Sequence, residues 1–246
     1  MSVSCVECAD LIQYRDNLDY FARICNIGEM KKIIIDINKY SYEDKYYELW
    51  RKYYLSRAHS LLSDSYYKGK TEEIAYNHAR NAADALNGLE RQASADAEIY
   101  ALLGGVLGRV AAGAADAVSK ANLGMRSDRA IARALECDPG NPRALLMHGR
   151  SLLLKPRLFG GNKKRALAVL GEARERALDA RRPDGPEPAW GLEEACFWLS
   201  YGLLHFNRYD EARAALAPLR DLEPVYYLLK PMQDRIDEKE RLARSV

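Results

Sequence analysis

The residues best suited to redox or metal chemistry are Cys5 and Cys8, which are separated by two residues near the start of the chain. This spacing is typical of zinc sites and of thioredoxin-like motifs. A zinc site needs a second pair of ligands, and a redox motif needs a strand before it and a helix after it, and the sequence predicts neither. The five cysteines are an odd number at scattered positions, which does not indicate a disulfide framework. We therefore expect no metal ion and no cofactor.

A second candidate is the segment from Phe159 to Lys164, which reads FGGNKK. Glycines, free backbone amides and two lysines at the start of a predicted helix could hold an anion. The lysine spacing and the missing Ser or Thr distinguish the segment from a phosphate-binding loop of the GxxxxGK(S/T) type. The alternative is a structural turn, in which Gly160 and Gly161 permit a chain reversal and Asn162 caps the next helix. The sequence favours the turn.

Side chains typical of catalysis are not grouped in the sequence. The four histidines form no HExxH pair, and no Ser/His/Asp or Cys/His arrangement can be recognised. We therefore predict that the protein is not an enzyme.

Composition limits the partners further. The chain has 246 residues, of which 48% are hydrophobic, and a formal net charge of +2. So small an excess of positive charge gives no reason to expect nucleic acid or an acidic membrane as a partner. No run approaches the roughly 18 apolar residues of a membrane helix, and the first residues lack the features of a signal peptide. The chain as given therefore predicts a soluble, cytoplasmic protein.

Helical repeats must position these side chains, and the clearest repeat lies between Glu193 and Pro224. Large apolar residues recur at spacings that fill the space between two antiparallel helices. The small residues Ser200 and Ala212 fall where such helices approach most closely. Asn207 lies at the turn, where a positive φ is wanted, and Pro224 is expected to end the second helix. The pattern resembles the tetratricopeptide repeat, a helix pair of about 34 residues.

Two earlier units follow the same pattern. One begins at Pro142, has Gly149 at the position of close approach, and needs about five extra residues in the turn around Pro156. The other has Gly104 at that position and carries roughly eleven inserted residues over 111–123. We expect this insertion to extend the first helix or to form a loop packed on it.

These units, together with the Phe-Gly-Gly turn, resemble a narrower group of bacterial tetratricopeptide proteins over about residues 94–227. That group includes accessory subunits of TRAP-type solute transport. The resemblance implies an all-α fold of the tetratricopeptide α–α superhelix type, a binding or scaffolding role and no known catalysis. Because such proteins are often exported, a periplasmic or lipoprotein location stays open, with Val3-Ser4-Cys5 as the remnant of a cleavage site.

The rest of the chain is expected to add helices at both ends. We predict N-terminal helices over 1–41, a degenerate first helix pair over 42–89, three repeats over 94–227 and a capping helix over 228–246, in one continuous domain. The β-branched run from Ile33 to Ile37 could be a strand. In so helical a chain we predict a buried helix instead.

In tetratricopeptide repeats, inner positions of each first helix line a concave groove. Three basic and three ring-bearing side chains at these positions are our candidate binding residues: Arg109, Arg143, Arg150, Phe197, Tyr201 and His205. Such a groove suits a peptide carboxylate, or an organic acid beside a hydrophobic body. Alternatively, residues 111–123 or the N-terminal helices fill the groove and these side chains are ordinary core.

We therefore predict a non-catalytic scaffold or adaptor that binds a partner protein or peptide in this groove. The alternative is a transport-associated accessory protein that binds a small organic acid or a hydrophobic ligand. A peptide groove would be open along its length. A ligand site would be an enclosed apolar cavity with Arg109 or Arg150 near its mouth.

Overall fold

The computed structural model describes residues 3–68, 71–89 and 96–245, with side chains from residue 8 onward except that of Lys68. These residues form an all-α fold, which confirms the predicted class. The helices are α1 (Val3–Arg23), α2 (Ile27–Ile37), α3 (Lys45–Lys68), α4 (Glu72–Leu86), α5 (Ala97–Gly113), α6 (Ala117–Cys137), α7 (Pro142–Leu154), α8 (Lys163–Asp179), α9 (Leu192–Leu204), α10 (Tyr209–Ala215) and α11 (Leu229–Arg244). Two 3-10 turns cover Arg157–Phe159 and Ala217–Leu219.

The helices belong to two compact units. The first contains α1 to α6 together with residues 181–189, and the second contains α7 to α11. The predicted division of the chain into N-terminal helices, repeats and a cap stays a prediction.

The isoleucine-rich run near the start of the first unit is helical, as predicted. Cys25 has a positive φ of 54° and separates α1 from α2. Asn26 then caps α2, because its side-chain oxygen accepts a hydrogen bond from the backbone N–H of Glu29 at 3.1 Å. Ile33 and Ile37 point into the core, so a helical period and not a strand period buries this run.

The insertion over 111–123 lengthens both helices of its pair, whereas we expected it to lengthen the first helix or to form a loop. Residues 111–113 end α5, and 117–123 begin α6. Asp116 caps α6 by accepting a hydrogen bond from the backbone N–H of Ser119 at 2.8 Å. Residues 115–118 and 120–122 are exposed, so the inserted stretch is not buried in a groove.

Glycines bring the helices of two pairs into direct contact. A Cβ on Gly104 of α5 would lie 2.6 Å from Cγ1 of Ile131 on α6, and a Cβ on Gly149 of α7 would lie 2.6 Å from Cγ of Leu170 on α8. Both distances are far below a carbon–carbon packing distance. The small residues that identified the repeat therefore have the packing role predicted for them.

The last helix pair differs from the prediction at its end. Asn207 adopts a φ of 55° at the turn between α9 and α10, as expected. However, α10 ends at Ala215 and is followed by the 3-10 turn that contains Pro218. Pro218 lacks the N–H that a further α-helical turn requires. The expectation that Pro224 ends this helix was therefore wrong, although Leu219 still reaches the core.

Residues 181–189 are fixed within the first unit by a buried arginine. The guanidinium of Arg15, which is 3% exposed, donates hydrogen bonds to the carbonyl oxygens of Pro183 at 2.9 Å and Gly185 at 2.6 Å. The hydroxyl of Tyr54 donates to the carbonyl of Pro186 at 2.6 Å. These bonds satisfy a buried charge and several loop carbonyls together.

Candidate functional site: the aromatic face of α9

The sequence-predicted arginine of the first unit is neutralised by its own neighbours. Arg109 on α5 forms an ion pair with Asp64 on α3, and both side chains are less than a third exposed. Its guanidinium also lies over the ring of Tyr67, 5.9 Å from the centroid. Arg109 therefore contributes to the packing of α5 against α3.

Arg143, at the start of α7 in the second unit, has a structural contact as well. Its guanidinium donates a hydrogen bond to the carbonyl oxygen of Trp190 at 2.9 Å. This bond holds the chain just before α9, and the Cγ atom of Arg143 lies beside Gly191. Arg143 thus helps to place α9.

The predicted aromatic residues lie on one face of α9 and continue just beyond its end. Phe197, Tyr201 and His205 are spaced by four residues and therefore follow one another along the helix. The rings of Phe197 and Tyr201 have centroids 6.4 Å apart, and those of Tyr201 and His205 are 5.3 Å apart. Trp198 joins them with its ring 5.6 Å from Tyr201.

Cations from three other helices lie against these rings. The guanidinium of Arg150 on α7 is 4.9 Å from the ring centroid of Trp198, and that of Arg235 on α11 is 5.0 Å from the centroid of Tyr201. The Nζ atom of Lys163, at the start of α8, is 3.4 Å from Nδ1 of His205. Cations over aromatic faces interact favourably with the ring quadrupole.

We use the name α9 cluster for the rings of Trp198, Tyr201 and His205 with the cations Lys163, Arg235 and Lys239. Partial burial lowers the pKa of His205, and the positive charges of Lys163, Lys239 and Arg235 lower it further. The imidazole is therefore neutral at pH 7. The charges of all three cations act on this one imidazole.

The cations of the α9 cluster have no carboxylate partner in the part of the chain that the structure describes. Among these residues, Lys163, Arg235 and Lys239 form no ion pair. Three acidic groups of α11 pair with other cations: Asp237 and Glu240 with Arg213 on α10, and Asp234 with Lys230. The cluster therefore combines apolar rings with uncompensated positive charge, and it can bind an anionic group that carries an apolar portion.

The structure brings four of the six predicted residues together, namely Arg150, Phe197, Tyr201 and His205. Their role in binding stays a prediction. Sequence reasoning missed Trp198, Arg235 and Lys239. Trp198 lies outside the inner repeat positions, and the two cations lie on α11, which we treated only as a cap. The spacing of Trp198 three residues before Tyr201 was the available signal.

Of the two other candidate sites, the FGGNKK segment has a structural role, and the Cys5–Cys8 pair lies partly outside the described residues. Pro156 follows the end of α7, Gly160 has a φ of 87°, and Asn162 accepts a hydrogen bond from the backbone N–H of Arg165 at 3.0 Å. The FGGNKK segment is thus the predicted turn. The side chain of Cys5 lies outside the described residues, and within the described part of the chain no three His, Cys, Asp or Glu side chains are grouped to hold a metal ion.

Two surface clefts of about 500 Å³ lie away from the predicted residues. One is lined by α1 and α2, including Tyr14 and Asp36, and the other follows α8 around Gly171. Neither contains Arg109 or Arg150. Neither cleft is therefore an enclosed cavity with Arg109 or Arg150 at its mouth.

Comparisons with known proteins show a similarity of fold only. No family model matches the chain, and no curated protein matches it. The HusA haemophore from Porphyromonas gingivalis aligns with a TM-score of 0.54 and 21% identity, over 78% of this chain and 94% of that one. A thermophilic TPR protein from Thermus thermophilus aligns with a TM-score of 0.54 and 16% identity, over 92% and 98%. The chain therefore has a TPR-like helical fold.

Proposed function

We propose that the protein is a non-catalytic scaffold or adaptor that binds an acidic segment of a partner protein on the α9 cluster. The observation that carries this proposal is that Arg235 lies over the ring of Tyr201 and Lys163 lies beside that of His205, with Lys239 acting on the same imidazole. None of these three cations has a carboxylate partner among the described residues. The TPR-like fold supports a binding role, because stacked helix pairs present extended surfaces to partners.

The physical basis of this binding is the relief of electrostatic repulsion among the three cations. Like charges held together repel one another, and a bound carboxylate replaces this repulsion with charge-assisted hydrogen bonds. The rings of Trp198 and Tyr201 then supply apolar and aromatic surface for a neighbouring side chain of the ligand. A carboxylate beside an aromatic or aliphatic side chain is therefore the recognition unit that fits.

The experiment uses fluorescent peptides in which Asp or Glu alternates with Leu or Phe, and matched peptides with Asn or Gln in place of the acids. Fluorescence anisotropy with the full chain gives the Kd. We expect the acidic peptides to bind more tightly than the amide peptides. The double variant Arg235→Glu with Lys239→Glu should raise the Kd at least about tenfold, because it reverses two charges of the cluster.

Lys230→Glu is the matched control on the same helix. Lys230 already pairs with Asp234 at 2.5 Å and lies outside the cluster, so this variant should keep the Kd of the wild type. Equal binding of acidic and amide peptides, or an equal loss in the control, would contradict the proposal.

A second candidate is binding of a small hydrophobic acid, and the fold similarity to a haemophore favours it. A porphyrin has a flat apolar ring and carboxylates, which match the rings and cations of the α9 cluster. Titration with haem, followed by its absorption band, distinguishes the two candidates. A one-to-one complex that Arg235→Glu with Lys239→Glu abolishes, and that acidic peptides do not displace, supports the small ligand. The link to TRAP-type transport stays a prediction.

A further inference from the structure

The turn between α7 and α8 carries an exposed apolar patch. Leu154, Leu158 and Phe159 are 55%, 88% and 65% exposed. Single exposed apolar side chains are common on protein surfaces, but three within six residues form a patch that indicates an interaction site. We call these three residues the apolar tip.

The segment around the apolar tip is strongly basic. Between Pro139 and Gly171 the chain has seven lysine and arginine residues and no acidic residue. Arg157, Lys164 and Arg165 are exposed, and none of the three forms an ion pair within the described part of the chain. Although the whole protein has a net charge of only +2, positive charge is concentrated at this turn, and such a local concentration can attract an acidic membrane.

The backbone of the turn is fixed while its apolar side chains point outward. The backbone N–H of Phe159 donates to the carbonyl of Pro156 at 2.9 Å, and that of Asn162 donates to the carbonyl of Leu152 at 2.8 Å. Gly160 supplies the left-handed conformation that the turn needs. The structure thus holds Leu158 and Phe159 in solvent without covering them.

We propose that the apolar tip inserts into the surface of a bilayer rich in anionic lipid. Leu158 and Phe159 enter the boundary between headgroups and acyl chains, while Arg157, Lys164 and Arg165 contact the negatively charged headgroups. The positive charge around the tip complements anionic headgroups, and the acyl chains beneath them accept the exposed apolar side chains. A nucleic acid offers no apolar phase for Leu158. The contact is peripheral, since none of the described helices is both long and apolar enough to cross a membrane.

The test is flotation of the full chain with vesicles of phosphatidylcholine alone and with vesicles that contain about 30% phosphatidylglycerol. We expect binding to the acidic vesicles to be at least about tenfold stronger and to weaken with added salt. The variant Leu158→Ser with Phe159→Ser should reduce the partition coefficient on acidic vesicles about tenfold or more, since it removes the inserted apolar surface.

Val118→Ser with Met125→Ser is the matched control, because these apolar side chains are 70% and 50% exposed on α6. It should bind vesicles as the wild type does, and melting curves should show all variants folded. The proposal is overturned if the wild type does not float with acidic vesicles, or if the control loses as much binding as the tip variant. It is also overturned if the tip variant binds acidic vesicles like the wild type, or if only heparin and nucleic acid bind, since both results indicate general attraction to polyanions.

Discussion

The buried serines of the two units differ in whether their hydroxyl groups are hydrogen-bonded. In the first unit the hydroxyl of Ser56 donates to the carbonyl of Ala82, and that of Ser63 donates to Ala75 at 2.7 Å. Ser127 donates to Gly104 in the same way. In the second unit the hydroxyl of Ser200 is buried and has no hydrogen-bond partner among the described residues.

The paired side chains of the first unit and the cations of the α9 cluster show a similar contrast. In the first unit Arg109 pairs with Asp64, and the histidines His59 and His78 pair with each other. In the second unit the cations of the α9 cluster form no ion pair in the described part of the chain. Satisfied polar groups stabilise a fold, whereas uncompensated charge costs stability and is retained where a ligand supplies the missing partner. The comparison therefore assigns a mainly structural role to the Arg109–Asp64 pair and to the histidine pair of the first unit.

The largest effect is expected from acid acting on the histidine pair. The Nδ1 atoms of His59 and His78 are 2.8 Å apart, and the ring of Tyr66 stacks on His78. Burial and the neighbouring His78 lower the pKa of His59 to about 4, and burial and Lys31 lower the pKa of His78. The unfolded chain, with ordinary histidine pKa values near ~6.5, binds more protons between these values. The stability that depends on keeping these two histidines neutral is therefore fully present above about pH 6.5 and is lost as the pH approaches 4.

Urea unfolding at several pH values measures this loss, which should reach about 3 kcal/mol at pH 4 for His59. His59→Gln should remove most of this loss, because it leaves no imidazole to protonate at that position. The variant His205→Gln, which lies outside the pair, should lose stability at low pH as the wild type does. A pH dependence that is the same in wild type and His59→Gln would show that the pair is not held neutral.

A smaller effect is expected when the ion pair of α5 is broken. Arg109→Ala removes the ion pair with Asp64 in a partly buried site, and we expect a loss of about 1 to 2 kcal/mol in the free energy of unfolding. Binding of acidic peptides should not change. Arg150→Ala should instead weaken peptide binding, because the Arg150 guanidinium lies over the ring of Trp198 in the α9 cluster. A peptide affinity that depends on Arg109 but not on Arg150 would reverse the assignment of roles.

The smallest effect concerns the serines. Ser200→Ala removes an unpaired buried hydroxyl and should stabilise the protein by about 1 kcal/mol, whereas Ser63→Ala removes a hydrogen bond and should destabilise it by a similar amount. Thermal melts of both variants measure the two signs in one experiment. Destabilisation by both substitutions would mean that the Ser200 hydroxyl has a partner in solution.

The repeat pattern could be predicted because it depends on residues close together in sequence. Gly104 and Gly149 marked the positions of close approach, and Asn207 marked a turn with positive φ. The end of α10 was predicted wrongly, since we gave weight to Pro224 at a repeat boundary and overlooked Pro218 inside the helix. A missing N–H acts locally, so this information was present in the sequence.

The sequence by itself determined the all-α fold, the helix pairs and the ring-bearing face of α9, because helical periodicity places Phe197, Tyr201 and His205 in line. Only the tertiary structure decided which charges are compensated. Asp64 reaches Arg109 because α3 packs near α5, and Arg235 reaches Tyr201 because α11 packs on α9. Such pairings join residues far apart in the chain, and helix packing rather than local periodicity brings them together.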